Sequence, residues 1–300
     1  MTQTDLNKTT TERPDWLSNE VWPFQIRTAQ IEGTTVAYTD EGRGPTLLLV
    51  HDGMWSFIWG QLIELLRDRF RVVTLDFPGS GLSPASASPV TLEGDSRLLE
   101  SFCDHLSLGE LTLIAHDLGG AVGLGFAARR PELVSGMVMS NSFGWPPHVG
   151  ALRVMLKTMG SRPLTGFDVA TNLIPKMSSG GFGVGRHLDK AGRAAFLGPF
   201  RNRGPRRRFH DLMGSVMAEI DYLAGVEKAL TTTLSGKPLL TIYGERNDPF
   251  GFQAKFREYF PDAEEMVIPK GNHFPMCDDP DGFARRVAEW HMRIVTSPRR

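Results

Sequence analysis

An apolar run, Leu111-Thr112-Leu113-Ile114, passes through Ala115-His116-Asp117-Leu118-Gly119-Gly120-Ala121 into residues 122–128, which are rich in Gly and Ala. The pattern is that of a buried strand, a sharp turn and a helix packed closely on the strand. Such a turn holds its central side chain out at the strand end, and here that side chain is Asp117. A hydroxyl in this place attacks carbonyl carbon. A carboxylate suits attack on a saturated carbon and would leave an alkyl ester on the protein itself.

Around this unit, short β-like runs alternate with helical ones. Residues 27–38 read as a hairpin turning near Glu32-Gly33, and residues 46–50 as a strand buried on both faces. Helices are expected at 61–69 and 94–106, and strands at 71–75, 134–140, 239–243 and 265–268. This alternation predicts an α/β fold: a mostly parallel sheet with helices on both faces. Residues 146–236 break the rhythm with helical periodicity and many Arg, Met and Phe, the pattern of a helical cap inserted between two sheet strands. The cap would cover the carboxyl ends of the strands, where such sheets place their ligands. The expected organisation is therefore a flexible arm at 1–22, a core formed by 23–145 and 237–300, and a cap at 146–236. Met155, Met159, Phe167, Phe182 and Phe209 point to an apolar cavity under that cap.

Bulk properties narrow the function by exclusion. The 300 residues are 41% apolar and 22% charged with a net charge of −1, so no nucleic acid or membrane surface is expected as a partner. The dense cationic run at 201–208 reads as a solvated loop or helix start. Cys103 and Cys277 are far apart and read as free thiols in a reducing compartment. With no apolar leader at the N-terminus, the cytoplasm is the expected location. Neither a metal cluster nor a phosphate or dinucleotide motif is found, so no metal or cofactor is expected; the partners are a small apolar substrate and water.

Chemistry-bearing residues follow the strands in order. His51-Asp52-Gly53-Met54-Trp55 comes after the first buried run, then Asp117, then Glu245-Arg246-Asn247-Asp248, then Asn272-His273-Phe274. Asp117 would act as the ionised nucleophile and His273 as the base that primes a water. Asp248, preferred over Glu245 in the same turn, would orient the imidazole. The backbone N–H groups of Gly53 and Leu118 would stabilise the oxyanion formed when water attacks the ester.

The order Asp117, Asp248, His273 matches nucleophile, acid and base in α/β hydrolases. Over residues 26–295 the chain resembles the haloalkane dehalogenase branch of that fold, with epoxide hydrolases as near kin. The resemblance is carried by residues 66–73, by Asp76-Phe77-Pro78-Gly79-Ser80-Gly81-Leu82-Ser83, by His116-Asp117-Leu118-Gly119-Gly120, by Asn141-Ser142-Phe143-Gly144-Trp145-Pro146, by the cap segment 196–200 and by Asn272-His273-Phe274. It implies cleavage of a carbon–halogen bond through an Asp117 ester. Three positions depart from the family. Leu118 stands where a Trp holds the leaving halide, Gly53 where an Asn assists it, and Asp52 takes a Gly position. Trp55, Trp59 and Trp145 are candidate replacement donors. For the epoxide alternative, the cap offers only Tyr222, aided by His187 or His210. Asp52 could also perturb the site as a second carboxylate. A hydrolase-fold protein that only binds a small ligand is the third reading.

Overall fold

The computed structural model describes residues 9–10 and 12–296. Nine strands form one sheet: β1 (Thr9–Thr10), β2 (Arg27–Ile31), β3 (Thr34–Glu41), β4 (Thr46–Asp52), β5 (Arg71–Asp76), β6 (Leu111–Asp117), β7 (Val134–Ser142), β8 (Leu239–Gly244) and β9 (Glu264–Ile268). Their spatial order is β1-β2-β3-β5-β4-β6-β7-β8-β9. Pairings from β1 to β3 and of β3 with β5 are antiparallel, and all pairings from β5 to β9 are parallel. The central strands are buried on both faces, as their unbroken apolar runs require.

The helices are α1 (Gly60–Leu66), α2 (Leu92–His105), α3 (Gly119–Arg129), α4 (Gly150–Met159), α5 (Arg162–Thr171), α6 (Leu173–Ser178), α7 (Lys190–Phe196), α8 (Arg203–Ala218), α9 (Ile220–Leu230), α10 (Phe252–Tyr259), α11 (Pro275–Asp278) and α12 (Pro280–Thr296). Helices α4 to α9 fill the interval between β7 and β8, and this interval divides in two. Helices α4 and α5 pack on α8. By contrast, α9 lies against α3, with Leu223 and Val226 buried and the Tyr222 hydroxyl on the Ala121 carbonyl at 2.9 Å. The last helix of the expected cap is therefore packed on a core helix.

The expected flexible arm is corrected for residues 12–22. Leu17 and Trp22 are fully buried, and Trp16 meets Trp55 edge to face at 5.7 Å. Burying side chains of this size contributes about 2–3 kcal/mol each, enough to hold a short segment down. Residues 1–8 and 11 of that arm lie outside the described residues. The cap's apolar residues also differ from expectation. Phe209 is buried and Met159 half-buried, but Phe182 is 84% exposed, and Phe167 and Met155 face outward too.

Candidate active site

The parallel register sets the site. Asp52, Asp117 and Ser142 lie abreast at the ends of three adjacent strands, with a register shift between His116 and Asp117. Asp117 takes φ +51°, a left-handed conformation that strains a residue with a side chain. Its neighbours hold it there. Ser142 Oγ donates to the Asp117 carbonyl at 2.6 Å. Helix α3 lies so close that a Cβ on Gly119 would come within 2.6 Å of the Val50 carbonyl oxygen, and one on Gly120 would collide with Ser142 Oγ. The two glycines are what let the helix begin immediately behind the turn.

The Asp117 carboxylate is partly open, and His273 Nε2 stands 3.5 Å from Oδ2. Burial acts to raise the carboxyl's pKa, but the neighbouring imidazoles of His273, His116 and His51 outweigh it, leaving the group below its ordinary value. Asp117 is thus held as the anion. His116 lies under His273, with ring centres 4.9 Å apart, and its Nδ1–H donates to the Ser140 carbonyl at 2.9 Å. Burial, with the His273 imidazole beside it, depresses its pKa to about 3, so it stays neutral.

The partner of His273 corrects the expectation at Asp248. His273 Nδ1 faces Asn247 Oδ1 at 2.9 Å. Asp248 instead accepts from the Phe252 N–H at 2.7 Å and the Gln253 N–H at 3.0 Å, capping α10. Glu245, the alternative, accepts from the Lys270 N–H. The amide orientations follow from one fixed donor. The Gly244 N–H points at Asn141 Oδ1 (2.8 Å), so Asn141 Nδ2 is what reaches Asn247 Oδ1 (2.7 Å). That oxygen therefore accepts from His273 Nδ1–H, leaving Nε2 with its lone pair toward Asp117. Sequence reasoning weighed only carboxylates here and missed both Asn141 and Asn247.

The two expected oxyanion donors divide. The Leu118 N–H opens the first turn of α3, where helix N–H groups have no intrahelical acceptor, and it has no partner among the described residues. The Gly53 N–H, expected beside it, is instead bonded to Asp52 Oδ1 at 3.0 Å. Gly53 still borders Asp117: a Cβ there would lie 3.7 Å from Asp117 Oδ2 and 3.5 Å from the Phe209 ring.

Asp52 is fully buried, and its charge has a partner that the sequence hid. Arg208, inside α8, puts Nη1 on Asp52 Oδ1 at 2.6 Å, Nη2 on Asp95 Oδ2 at 2.6 Å and Nε on the Pro78 carbonyl at 2.7 Å. Burial pushes the Asp95 carboxyl well above the ordinary range, against the pull of Arg208, and Asp52 adds to the rise. The arginine run thus starts a helix, as expected, but its last member is an internal tie between cap and core.

Of the candidate leaving-group contacts, Trp55 and Tyr222 have their donors engaged elsewhere, whereas the Trp59 and Trp145 indole N–H groups have no partner among the described residues. Trp55 donates its indole N–H to the Phe196 carbonyl at 2.9 Å, fastening the cap. Trp145 is buried among Phe143, Phe252, Phe256 and Tyr259, with Lys255 Nζ 4.9 Å over its ring. Trp59 is buried beside His116, its indole N–H unpartnered among the described residues. The Tyr222 hydroxyl is on α3, as described. His187 faces the Asp278 carbonyl, and His210 faces Asp168, so neither joins Tyr222. Among the described residues no cluster suited to a metal occurs, and both cysteines are buried free thiols whose pKa values burial raises.

Comparison with known proteins agrees with this architecture. Residues 45–280 match the model of the alpha/beta hydrolase fold family. Haloalkane dehalogenase 2 of Mycobacterium tuberculosis is 29% identical over 280 residues, covering 90% of this chain and 96% of that protein. A cis-3-alkyl-4-alkyloxetan-2-one decarboxylase of Shewanella oneidensis is 29% identical over 292 residues, covering 91% and 90%. Among solved structures, the haloalkane dehalogenase DbeA of Bradyrhizobium elkani superposes with a TM-score of 0.78 at 22% identity, over 91% of this chain and 99% of that one.

Proposed function

We propose, from the premise that this chain belongs to the α/β-hydrolase fold family and is a haloalkane dehalogenase-like hydrolase, that Asp117 displaces a leaving group from a saturated carbon. The carboxylate oxygen forms the new bond to carbon, and the carbon–halogen bond breaks with its electron pair leaving on the halide. His273 Nε2 then takes a proton from a water that attacks the ester carbonyl, with the Leu118 N–H facing the oxyanion. Collapse frees the alcohol and restores Asp117. Asn247 holds the imidazole in the tautomer this step needs. One observation carries the reading: an anionic carboxylate at a strained strand-end turn, 3.5 Å from the free nitrogen of an imidazole.

A His273→Gln variant tests it. Incubated with a short bromoalkane, it should release one bromide per site and keep an alkyl group on the peptide holding Asp117, visible by mass spectrometry. An unmodified peptide after bromide release would contradict the reading.

A second reading rests on the halide-holding side chains lost at positions 118 and 53. Leu118 cannot donate from its side chain, and the Gly53, Trp55 and Tyr222 donors are engaged elsewhere. Loss of a donor to a departing anion costs about 10²–10³ in rate. A strained oxetan-2-one, the substrate named for the Shewanella relative, avoids that need because its leaving oxygen stays attached as a carboxylate. Attack by Asp117 at the ring carbon bearing oxygen would open the ring. Loss of CO2 would then drive its electron pair into a C=C bond and expel Asp117. Olefin from a dialkyl oxetan-2-one, with no bromide from bromoalkanes, would favour this chemistry. An epoxide substrate would need a phenol or similar acid, and Tyr222 is committed to α3.

A further inference from the structure

Most exposed large apolar side chains among the described residues belong to one stretch of the cap, residues 154–182. Val154 and Met155 on α4, Phe167 on α5, Leu173 and Met177 on α6, and Phe182 just beyond are all open to solvent. Val154 and Met177 are each 65% exposed and Phe182 is 84% exposed. The inner sides of α4 and α5 account for the packing: Leu152 and Leu156, and Thr165, Asp168 and Val169, are buried, and both helices rest on α8. The apolar residues named above therefore face away from the molecule. An apolar patch rimmed by charge marks a surface that something covers.

The exposed charges of this stretch are of one sign. Residues 150–182 contain Arg153, Lys157, Arg162 and Lys176, all exposed, and a single acid, Asp168. Asp168 is buried, with Oδ2 on His210 Nε2 at 3.1 Å and Oδ1 on the Ile174 N–H. The segment is thus +3 within a chain of −1, which leaves −4 for the remaining residues. Averaging over the chain concealed this asymmetry.

We propose that this cationic, apolar outer face of the cap docks the protein on an anionic lipid surface. Apolar side chains on short helices, bordered by Lys and Arg, are what an interfacial segment inserts between headgroups. The acidic remainder of the molecule orients the cap toward the membrane. A second copy of the chain fits less well, because face-to-face pairing would set the four cations against their own counterparts. No helix among the described residues is long and apolar enough to cross a membrane, so the contact is one of lying on the surface. This inference does not depend on the reaction assigned to Asp117.

Flotation of the full chain with vesicles tests it. The protein should float with vesicles of equimolar phosphatidylcholine and phosphatidylglycerol at low salt. It should remain behind with phosphatidylcholine alone, and high salt should release it. Replacing Arg153→Gln and Lys157→Gln together should weaken partition roughly thirty-fold, and Met177→Asp with Phe182→Asp should abolish it. The unmodified protein's lipid and salt dependence provides a readout that needs no variant to fold. No flotation with the anionic vesicles would overturn the proposal, as would equal binding to both lipids. A salt-insensitive dimer that Phe182→Asp dissolves, without vesicle binding, would assign the face to a second copy instead.

Discussion

Two polar clusters stand side by side at the strand ends and are built in opposite ways. Around Asp117, one carboxylate faces an imidazole at 3.5 Å, and neutral amides supply the rest of the support; the pair is partly open. Around Arg208, the contacts are 2.6 Å ion pairs, sealed from solvent, tying a cap helix to the end of β4 and to α2. The first arrangement lets its members exchange partners with a substrate and a water. The second fixes geometry and has no open position. A reactive cluster should govern rate, and a sealed one should govern stability.

The largest expected effect breaks the first cluster. Asp117→Asn should lower turnover by roughly 10⁴-fold or more, as for removal of other covalent nucleophiles, with the melting temperature nearly unchanged. Next is the second cluster. Arg208→Met leaves two buried carboxylates without their cation and should cost about 3–5 kcal/mol in urea unfolding. A comparable loss of stability from Asp117→Asn would erase the distinction between the clusters.

Acid should expose the buried neutral histidine. His116 has a folded pKa of about 3, well below its unfolded value of about 6.5, so between these the unfolded state binds the extra proton. Stability contributed by keeping this ring neutral is present above about pH 6.5 and is lost as pH falls toward 3. The slope corresponds to about 1.4 kcal/mol per pH unit, or about 3 kcal/mol by about pH 4. Unfolding curves of a His116→Asn variant should be flatter across that window.

Two smaller effects sharpen the comparison at the turn after β8. Asn247→Asp places a carboxylate on His273 and favours the imidazolium, so the acid limb of the kcat/KM profile should move up by about one pH unit. Asp248→Ala removes a helix cap and should cost about 1 kcal/mol of stability with less than a tenfold loss of rate. A loss of several hundred-fold would restore Asp248 to the role expected from sequence.

What could be read beforehand follows from how each feature is encoded. The sheet and the Asp117 turn are written in local patterns: apolar runs for β4 and β6, and a Gly pair where α3 must approach Val50 and Ser142. The Asn247–Asp248 turn was misread because an acid near a strand end is also the preferred start of a helix, and α10 begins four residues later. Only the relative placement of His273 decides between them. Arg208 was hidden in a run of arginines that reads as solvated. Its signal was periodicity, since Arg208, Leu212 and Ser215 share the inward face of α8. Residues 12–22 read as part of a flexible arm because polar residues outnumber Leu17 and Trp22, yet those two side chains dock that stretch.

The central claim is that Asp117 bonds covalently to the substrate carbon. A single turnover in oxygen-18 water tests it most directly, with enzyme in excess over a substrate that releases alcohol. Water attacking the ester carbonyl should put the heavy oxygen into the Asp117 peptide and leave the first alcohol unlabelled. Label in the first alcohol, with an unlabelled Asp117 peptide, would mean that water reaches the carbon directly, and the proposed ester would not exist.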